Sequence, residues 1–275
     1  MKRSVFSVSV LLSFLLLVFF IARGEAQRPG RTKGVRKNKA MVVVDPLNKK
    51  NINGYTSIAF AWGERLSPPR KYMRALINLK EAMNKYTKIA TNLEDHLMLG
   101  SSRIFKMPFV YITTDRAFDL SSTERNNVKE YLLNGGFMVL DNAVPYMEQS
   151  QAGASLKQVL VDAKKAIGSQ ARLMPIPKKH PIYKCFFDFD DGPPIGAELK
   201  SFVVNPNSKK QTGIMSKERR YLEGLFINDR LAAVYSDKGY VIKWNQMSNN
   251  EPQLKIGVNM LVFALIQEGG IALRQ

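Results

Sequence analysis

The chain has one cysteine, Cys185, and two histidines, His96 and His180. An intrachain disulfide and a cysteine-built zinc or iron–sulfur site are thereby excluded. No Gly-x-Ser-x-Gly run occurs, so the strained elbow that exposes a hydrolase serine is missing. A cysteine–histidine–acid triad needs its thiol on such an elbow, and Cys185 instead follows a proline-rich stretch inside Tyr183-Lys-Cys-Phe-Phe187. Among those apolar neighbours it reads as a small buried hydrophobe. Anions are scarce as well: 23 acidic residues face 41 basic ones, a net charge of +18.

What is present begins with a long apolar run. Lys2 and Arg3 precede Val5 to Ala22, and Gly24-Glu-Ala26 supplies small residues where a signal peptidase cuts. Residues 1–26 read as a signal peptide, or as an N-terminal membrane anchor, since the run just spans a bilayer. A periplasmic or secreted location follows. The cations after the run, Arg23, Arg28, Arg31, Lys33, Arg36, Lys37 and Lys39, favour the reverse topology, an anchored chain facing the cytoplasm. Residues 27–50 read as a basic flexible tether. Subtracting the +2 of residues 1–26 and the +6 of residues 27–39 from +18 leaves +10 behind them. Such charge suits an anionic membrane surface or an acidic envelope partner. No nucleic-acid motif accompanies it, and no specific nucleic-acid binding is expected.

Residues 51–275 read as one α/β domain. Ser57 to Trp62 and Pro108 to Thr113 are apolar on consecutive positions, as strands covered on both faces are. Ser67-Pro68-Pro69 opens a helix with Met73, Leu76, Leu79 and Met83 at helical spacing. Lys88 to Thr91 reads as a short strand and Leu93 to Leu99 as a turn of helix. Leu120-Ser-Ser-Thr-Glu124 is a capping box, and the helix it starts stops at Asn134-Gly135. Phe137 to Leu140 is again a doubly buried strand, with Asp141 and Asn142 at its carboxyl end. A helix over Ser155 to Ile167 leads to a strand at Arg172 to Met174. Leu222 to Ile227 and Arg230 to Tyr235 form a hairpin turning at Asn228-Asp229. Leu254 to Glu268 is a closing helix. The alternation implies a mainly parallel sheet with right-handed crossovers.

Four runs, PFVYITTDRAFDLSSTERNNVKEYLLNGGFMVLDN, KKHPIYKCFFDFDDGPP, YLEGLFINDRLAAVYSDKG and LKIGVNMLVFALIQEGG, resemble in their order a bacterial domain of unknown function, DUF4159, from about Ile58 to Gly270. The resemblance implies a fold similar to the class I glutamine amidotransferases, a flavodoxin-like three-layer sandwich, in an exported or membrane-linked protein. It brings no activity, cofactor or ligand with it. Family members often carry two adjacent acids after the glycine-pair strand, whereas this chain has Asp141-Asn142, which weakens a metal or acid–base role there.

In open α/β sheets ligands bind beyond the carboxyl ends of the strands. That places Asp115, Asp141, Asn142 and His180 as the candidate ligand-binding residues. Two carboxylates at strand ends suit a divalent cation or sugar hydroxyls, or else cap the turns that follow. His180, held extended by Pro181, is an acid–base candidate or a loop cap. Asp188, Asp190 and Asp191 imitate the start of a calcium loop whose remainder is missing. Trp62, Trp244, Tyr111, Tyr146 and Tyr240 offer stacking surfaces or core. The reading is a non-catalytic ligand- or protein-binding module of the cell envelope, with a hydrolase of a small or carbohydrate-like substrate, using His180 and Asp141, as the alternative.

Overall fold

A computed structural model describes residues 42–274 apart from 46, 148, 199–200, 205–210 and 215–220. The apolar run of residues 1–26 and the tether up to residue 41 lie outside the described residues. Among the described residues no helix is long and apolar enough to cross a membrane.

The chain enters the sheet at Val42, so residues 42–50 belong to the fold rather than to a tether. β1 (Val42–Asp45) turns antiparallel into β2 (Asn48–Trp62). A 3-10 turn at Arg70–Tyr72 leads to α1 (Arg74–Tyr86), and β3 (Lys88–Met98) returns parallel to β2. β3 is one continuous strand where the sequence suggested a strand and then a helical turn. Pairing with β2 along most of its length overrides the weak helical pattern of Leu93 to Leu99.

β4 (Phe109–Thr114), α2 (Ser122–Leu133) and β5 (Phe137–Asn142) form the next unit. The expected capping box is formed, with Ser121 and Glu124 exchanging hydrogen bonds across the first turn of α2. α3 (Gln151–Ile167) starts four residues before the expected Ser155, because Ser150 accepts the Gly153 N–H and caps it. β6 (Ala171–Pro175) is an edge strand antiparallel to β9, not a further member of the parallel set. A small separate sheet pairs β7 (Ser201–Val204) with β8 (Gln211–Ile214). β9 (Glu223–Ile227) and β10 (Arg230–Ser236) are the arms of the expected hairpin, with Asn228 at φ 52° in its turn. α4 (Tyr240–Trp244), α5 (Glu251–Ile266) and α6 (Ile271–Arg274) follow.

The strand order runs β3-β2-β4-β5-β10-β9-β6, parallel from β3 to β10, with β1 against the first half of β2. Both faces are buried. Phe137 and Val139 of β5 pack with α1, α4 and α5, while Met138 and Leu140 pack with α2 and α3. The consecutive apolar residues seen in the sequence are thus split between two cores by the period of two along a strand.

The glycine pair before β5 holds this geometry together. Tyr131 of α2 closes a two-way clasp: its hydroxyl donates to the Phe137 carbonyl at 2.8 Å and accepts the Phe137 N–H at 3.0 Å. Gly135 has φ +92°, and a Cβ there would stand 2.3 Å from the Gly269 carbonyl oxygen. Gly135→Ala is expected to cost about 2–4 kcal/mol, from left-handed strain plus a clash with backbone that has no rotamer to yield. Urea unfolding checks this, and a loss below about 0.5 kcal/mol would show that the turn relaxes.

Candidate functional site

The carboxyl ends of β4, β5 and β10 lie side by side, since Thr113 pairs with Asp141 and Asp141 with Ser236. Asp141 and Asn142 are neighbours in sequence but face opposite sides of the sheet, so they serve different layers. Asp141 is fully buried towards α4. One oxygen, Oδ2, accepts both the Tyr111 hydroxyl and the Val241 N–H at 2.8 Å. Burial pushes its carboxyl up to about 6, against the downward pull of hydrogen bonds from Ser236, Val241 and Tyr111. Its work is to tie the start of α4 to the strand ends.

Asn142 turns the other way, towards α3. Its Nδ2 donates to Asp237 at 2.7 Å, and its Oδ1 accepts the Val144 N–H at 3.0 Å and the Ser150 hydroxyl at 3.1 Å. Gly153 makes this contact fit, because a Cβ there would come within 2.8 Å of Asn142 Nδ2 and 3.1 Å of the Tyr235 hydroxyl. The N-terminus of α3 is therefore seated directly on the strand ends.

Beside it lies a cleft of about 430 Å³ lined in part by Asn142, Met147, Gln151, Lys157, Tyr235 and Asp237. Lys157, Tyr235 and Asp237 also line an adjoining pocket of about 130 Å³ that adds Tyr221, Glu223 and Lys238. Lys157 pairs with Glu223 at 2.8 Å and lies over the Tyr235 ring, 5.7 Å from its centroid. Lys238 pairs with Glu198 at 2.6 Å, both of them buried. A strap over Pro194–Glu198 is sewn onto the same edge. Ala197 donates to the Lys238 carbonyl, Gly196 to Glu198, and the Tyr240 hydroxyl to the Pro194 carbonyl, each at 2.6 Å. Two cations, Lys157 and Lys238, stand among three carboxylates, Glu198, Glu223 and Asp237, and fixed amides and hydroxyls fill the space between them. That chemistry suits a polar ligand of low net charge.

The four residues singled out from the sequence are not gathered. Asn142 lines the cleft, and Asp141 sits one residue away on the opposite face. Asp115, a quarter exposed, ion-pairs with Lys71 at 3.6 Å and Arg116 at 3.8 Å. His180 lies towards the other end of the sheet. Its ring meets the edges of Phe226 and Phe263, and Phe226 pairs with Leu231, five residues before Ser236 on β10. Five residues of strand are roughly 16 Å, so the structure does not bring His180 and Asp141 together as an acid–base pair. His180 caps its loop, its Nδ1 accepting the Ile182 N–H at 3.2 Å, and burial pushes its imidazole down to about 4.

The remaining expectations divide. Asp188 turns to Lys49 at 2.9 Å and Asp190 to Lys184 at 2.5 Å, and no group of three or more His, Cys, Asp or Glu among the described residues is placed to hold a metal ion. Cys185 donates to the Asn259 carbonyl at 3.3 Å, and burial pushes its thiol up to about 12, so it is held as a thiol. Trp244 is not in a strand. It stands in α4, fully buried with Tyr111 and Tyr240 in the core. Trp62 stacks on His96 at 4.5 Å, which places His96 on β3 against an aromatic face. Of the five aromatics, Tyr146 is half exposed.

Sequence reasoning missed Ser150, Lys157, Glu198, Glu223, Tyr235, Asp237 and Lys238. One signal was legible: Asp237-Lys238-Gly239 follows directly on the hairpin's second strand, where charged residues and a glycine mark a strand exit. Glu198 and Lys157 carry no such mark, and only folding brings them there. The family described as Domain of unknown function (DUF4159) matches residues 68–265, from the turn before α1 to the last turn of α5. No curated protein matches the chain.

Proposed function

We propose, for a chain that belongs to the DUF4159 family, a role as a binding module of the bacterial cell envelope that takes a small polar ligand at the carboxyl edge of its sheet. The observation that carries this reading is the cleft beside Asn142, in which Asp237, Ser150 and Asn142 are locked by mutual hydrogen bonds before any ligand arrives. Preorganised polar groups of this kind lower the ordering cost of binding. The strand order β3-β2-β4-β5-β10 supports a flavodoxin-like, doubly wound core with helix layers on both faces, similar to the glutamine amidotransferase-like fold, in which ligands sit at that same edge. The apolar run and the basic residues behind it support export or membrane tethering, with an anionic membrane surface or an envelope protein as the neighbour.

The test is thermal denaturation of the purified full chain against separate panels of sugars, nucleotides and divalent metal salts. A ligand at a hundred times its Kd stabilises by about 2.7 kcal/mol, which is about 5–10 °C in Tm for a domain of this size. The shift is expected to vanish in Asp237→Asn and Lys157→Ala. A shift that survives both substitutions places the ligand elsewhere, and no shift from any panel defeats the small-ligand reading.

A further inference from the structure

The cleft beside Asn142 is built in two lobes. The larger, about 430 Å³, and the smaller, about 130 Å³, share Lys157, Tyr235 and Asp237, so they meet along one polar seam. Each lobe also presents one apolar surface to solvent: Met147, 51% exposed, in the larger, and Tyr221, 45% exposed, in the smaller. Exposed apolar residues scattered singly need no explanation, but each of these stands in a hollow otherwise lined mainly by hydrogen-bonding side chains.

The ionic groups narrow what this double hollow can hold. Lys157 is engaged by Glu223 at 2.8 Å and Lys238 by Glu198 at 2.6 Å. A phosphate or carboxylate ligand would have to pull a lysine out of an existing ion pair and face the remaining carboxylates. An organic cation would have to displace Lys157, which already meets Glu223 and lies over the Tyr235 ring where such a cation would stack. A divalent ion lacks a cage, since no group of three or more His, Cys, Asp or Glu converges among the described residues. A hydrocarbon would take water from the amides and carboxylates and return no hydrogen bond. A neutral molecule with an apolar face and a rim of hydroxyls meets none of these objections, and a pyranose ring has that form.

We infer that the cleft binds a neutral saccharide of two linked pyranose rings, one ring to each lobe. The inference rests on the carboxyl-edge reading above and names the ligand class of that same site. In the larger lobe one ring lays a C–H face on Met147, and the exposed amides of Gln149 and Gln151 take its hydroxyls. In the smaller lobe the second ring stacks on Tyr221. Tyr221 is the platform because Lys157 covers the Tyr235 ring, 5.7 Å from its centroid. At the seam Lys157 donates and Asp237 accepts, so the hydroxyls flanking the linkage find one group of each kind. An ionised carboxylate has several lone-pair sites, and Asp237 can accept from a hydroxyl while it keeps the Asn142 amide.

The experiment is saturation-transfer NMR on the purified full chain with cellobiose, maltose, lactose and diacetylchitobiose, each beside its own monosaccharides, and with AMP as the anionic probe. At least one disaccharide is expected to saturate with a Kd about tenfold or more below that of its monosaccharides, because the second ring adds contacts of its own, while AMP shows no saturable binding. Tyr221→Ala is expected to bring that disaccharide close to monosaccharide affinity, since only the second ring reaches the platform. Met147→Ala is expected to weaken disaccharide and monosaccharide alike. Both side chains are about half exposed, so the chain stays folded in either variant. The inference is overturned if no disaccharide saturates, if none binds more tightly than its monosaccharides, if AMP binds as tightly, or if Tyr221→Ala leaves the disaccharide affinity unchanged. The carboxyl-edge reading outlives any of these results when another ligand class raises Tm and Asp237→Asn removes the shift, and it falls together with the inference when no class raises Tm.

Discussion

Lys238→Met is expected to lower the unfolding free energy by about 3–5 kcal/mol, the usual cost of leaving one partner of a buried ion pair without the other. Lys238 and Glu198 are 3% and 8% exposed at their side chains and 2.6 Å apart, so solvent screens them little. Methionine keeps most of the aliphatic volume and removes the charge. Glu198 is then stranded with the Gly196 N–H as its remaining partner in the strap, and the strap loosens. In urea this amounts to about 1–2 M in the midpoint. The double variant Lys238→Met with Glu198→Gln is expected to recover more than half of the loss, because glutamine still accepts from Gly196 and no bare charge remains. A single-variant cost under about 1 kcal/mol would mean that water reaches the pair and that the strap is not anchored by it.

The second large effect is a pH dependence centred on Asp141. Its folded-state carboxyl lies near 6, above the ordinary value of 3.8, because it is buried. A raised value means that the folded state holds the proton more tightly than the unfolded chain. The stabilisation is therefore complete below about pH 3.8 and is lost as pH rises through 6. The difference corresponds to about 3 kcal/mol. Asp141→Asn removes the titration and keeps an oxygen to accept from Tyr111 or Val241. The variant is thus expected to gain about 2.5 kcal/mol relative to the wild-type chain between pH 4 and pH 7, a comparison in which the other carboxylates cancel. Unfolding curves at both pH values measure it. Parallel pH profiles for the two proteins would show that the Asp141 charge is compensated in the folded state.

These two residues also show where sequence reading stops. The capping box at Ser121-Glu124, the glycine pair, the Asn228-Asp229 turn and the doubly buried runs at β4 and β5 are local signals, each set by a few neighbouring residues, and the structure forms them all. The second half of β3 departs from the helical turn its sequence suggests because so short a pattern fits helix and strand about equally, and non-local pairing decides between them. His180 was assigned to the carboxyl edge on the strength of its proline neighbour. The long loop after β6 instead carries it to Phe226 and Phe263, where two aromatic edges and a backbone N–H hold it.

The sequence by itself determined that this is an α/β chain with a mainly parallel sheet, that it lacks a serine elbow and a cysteine-built metal site, and that Asp141 and Asn142 close a central strand. Those properties depend on composition and on periods of two and 3.6 residues, which are written along the chain. Only the tertiary structure decided that adjacent Asp141 and Asn142 serve opposite layers and that Glu198 meets Lys238 across 40 positions. Contacts between residues distant in sequence are fixed by how layers pack, and packing leaves no mark in any short window of the chain.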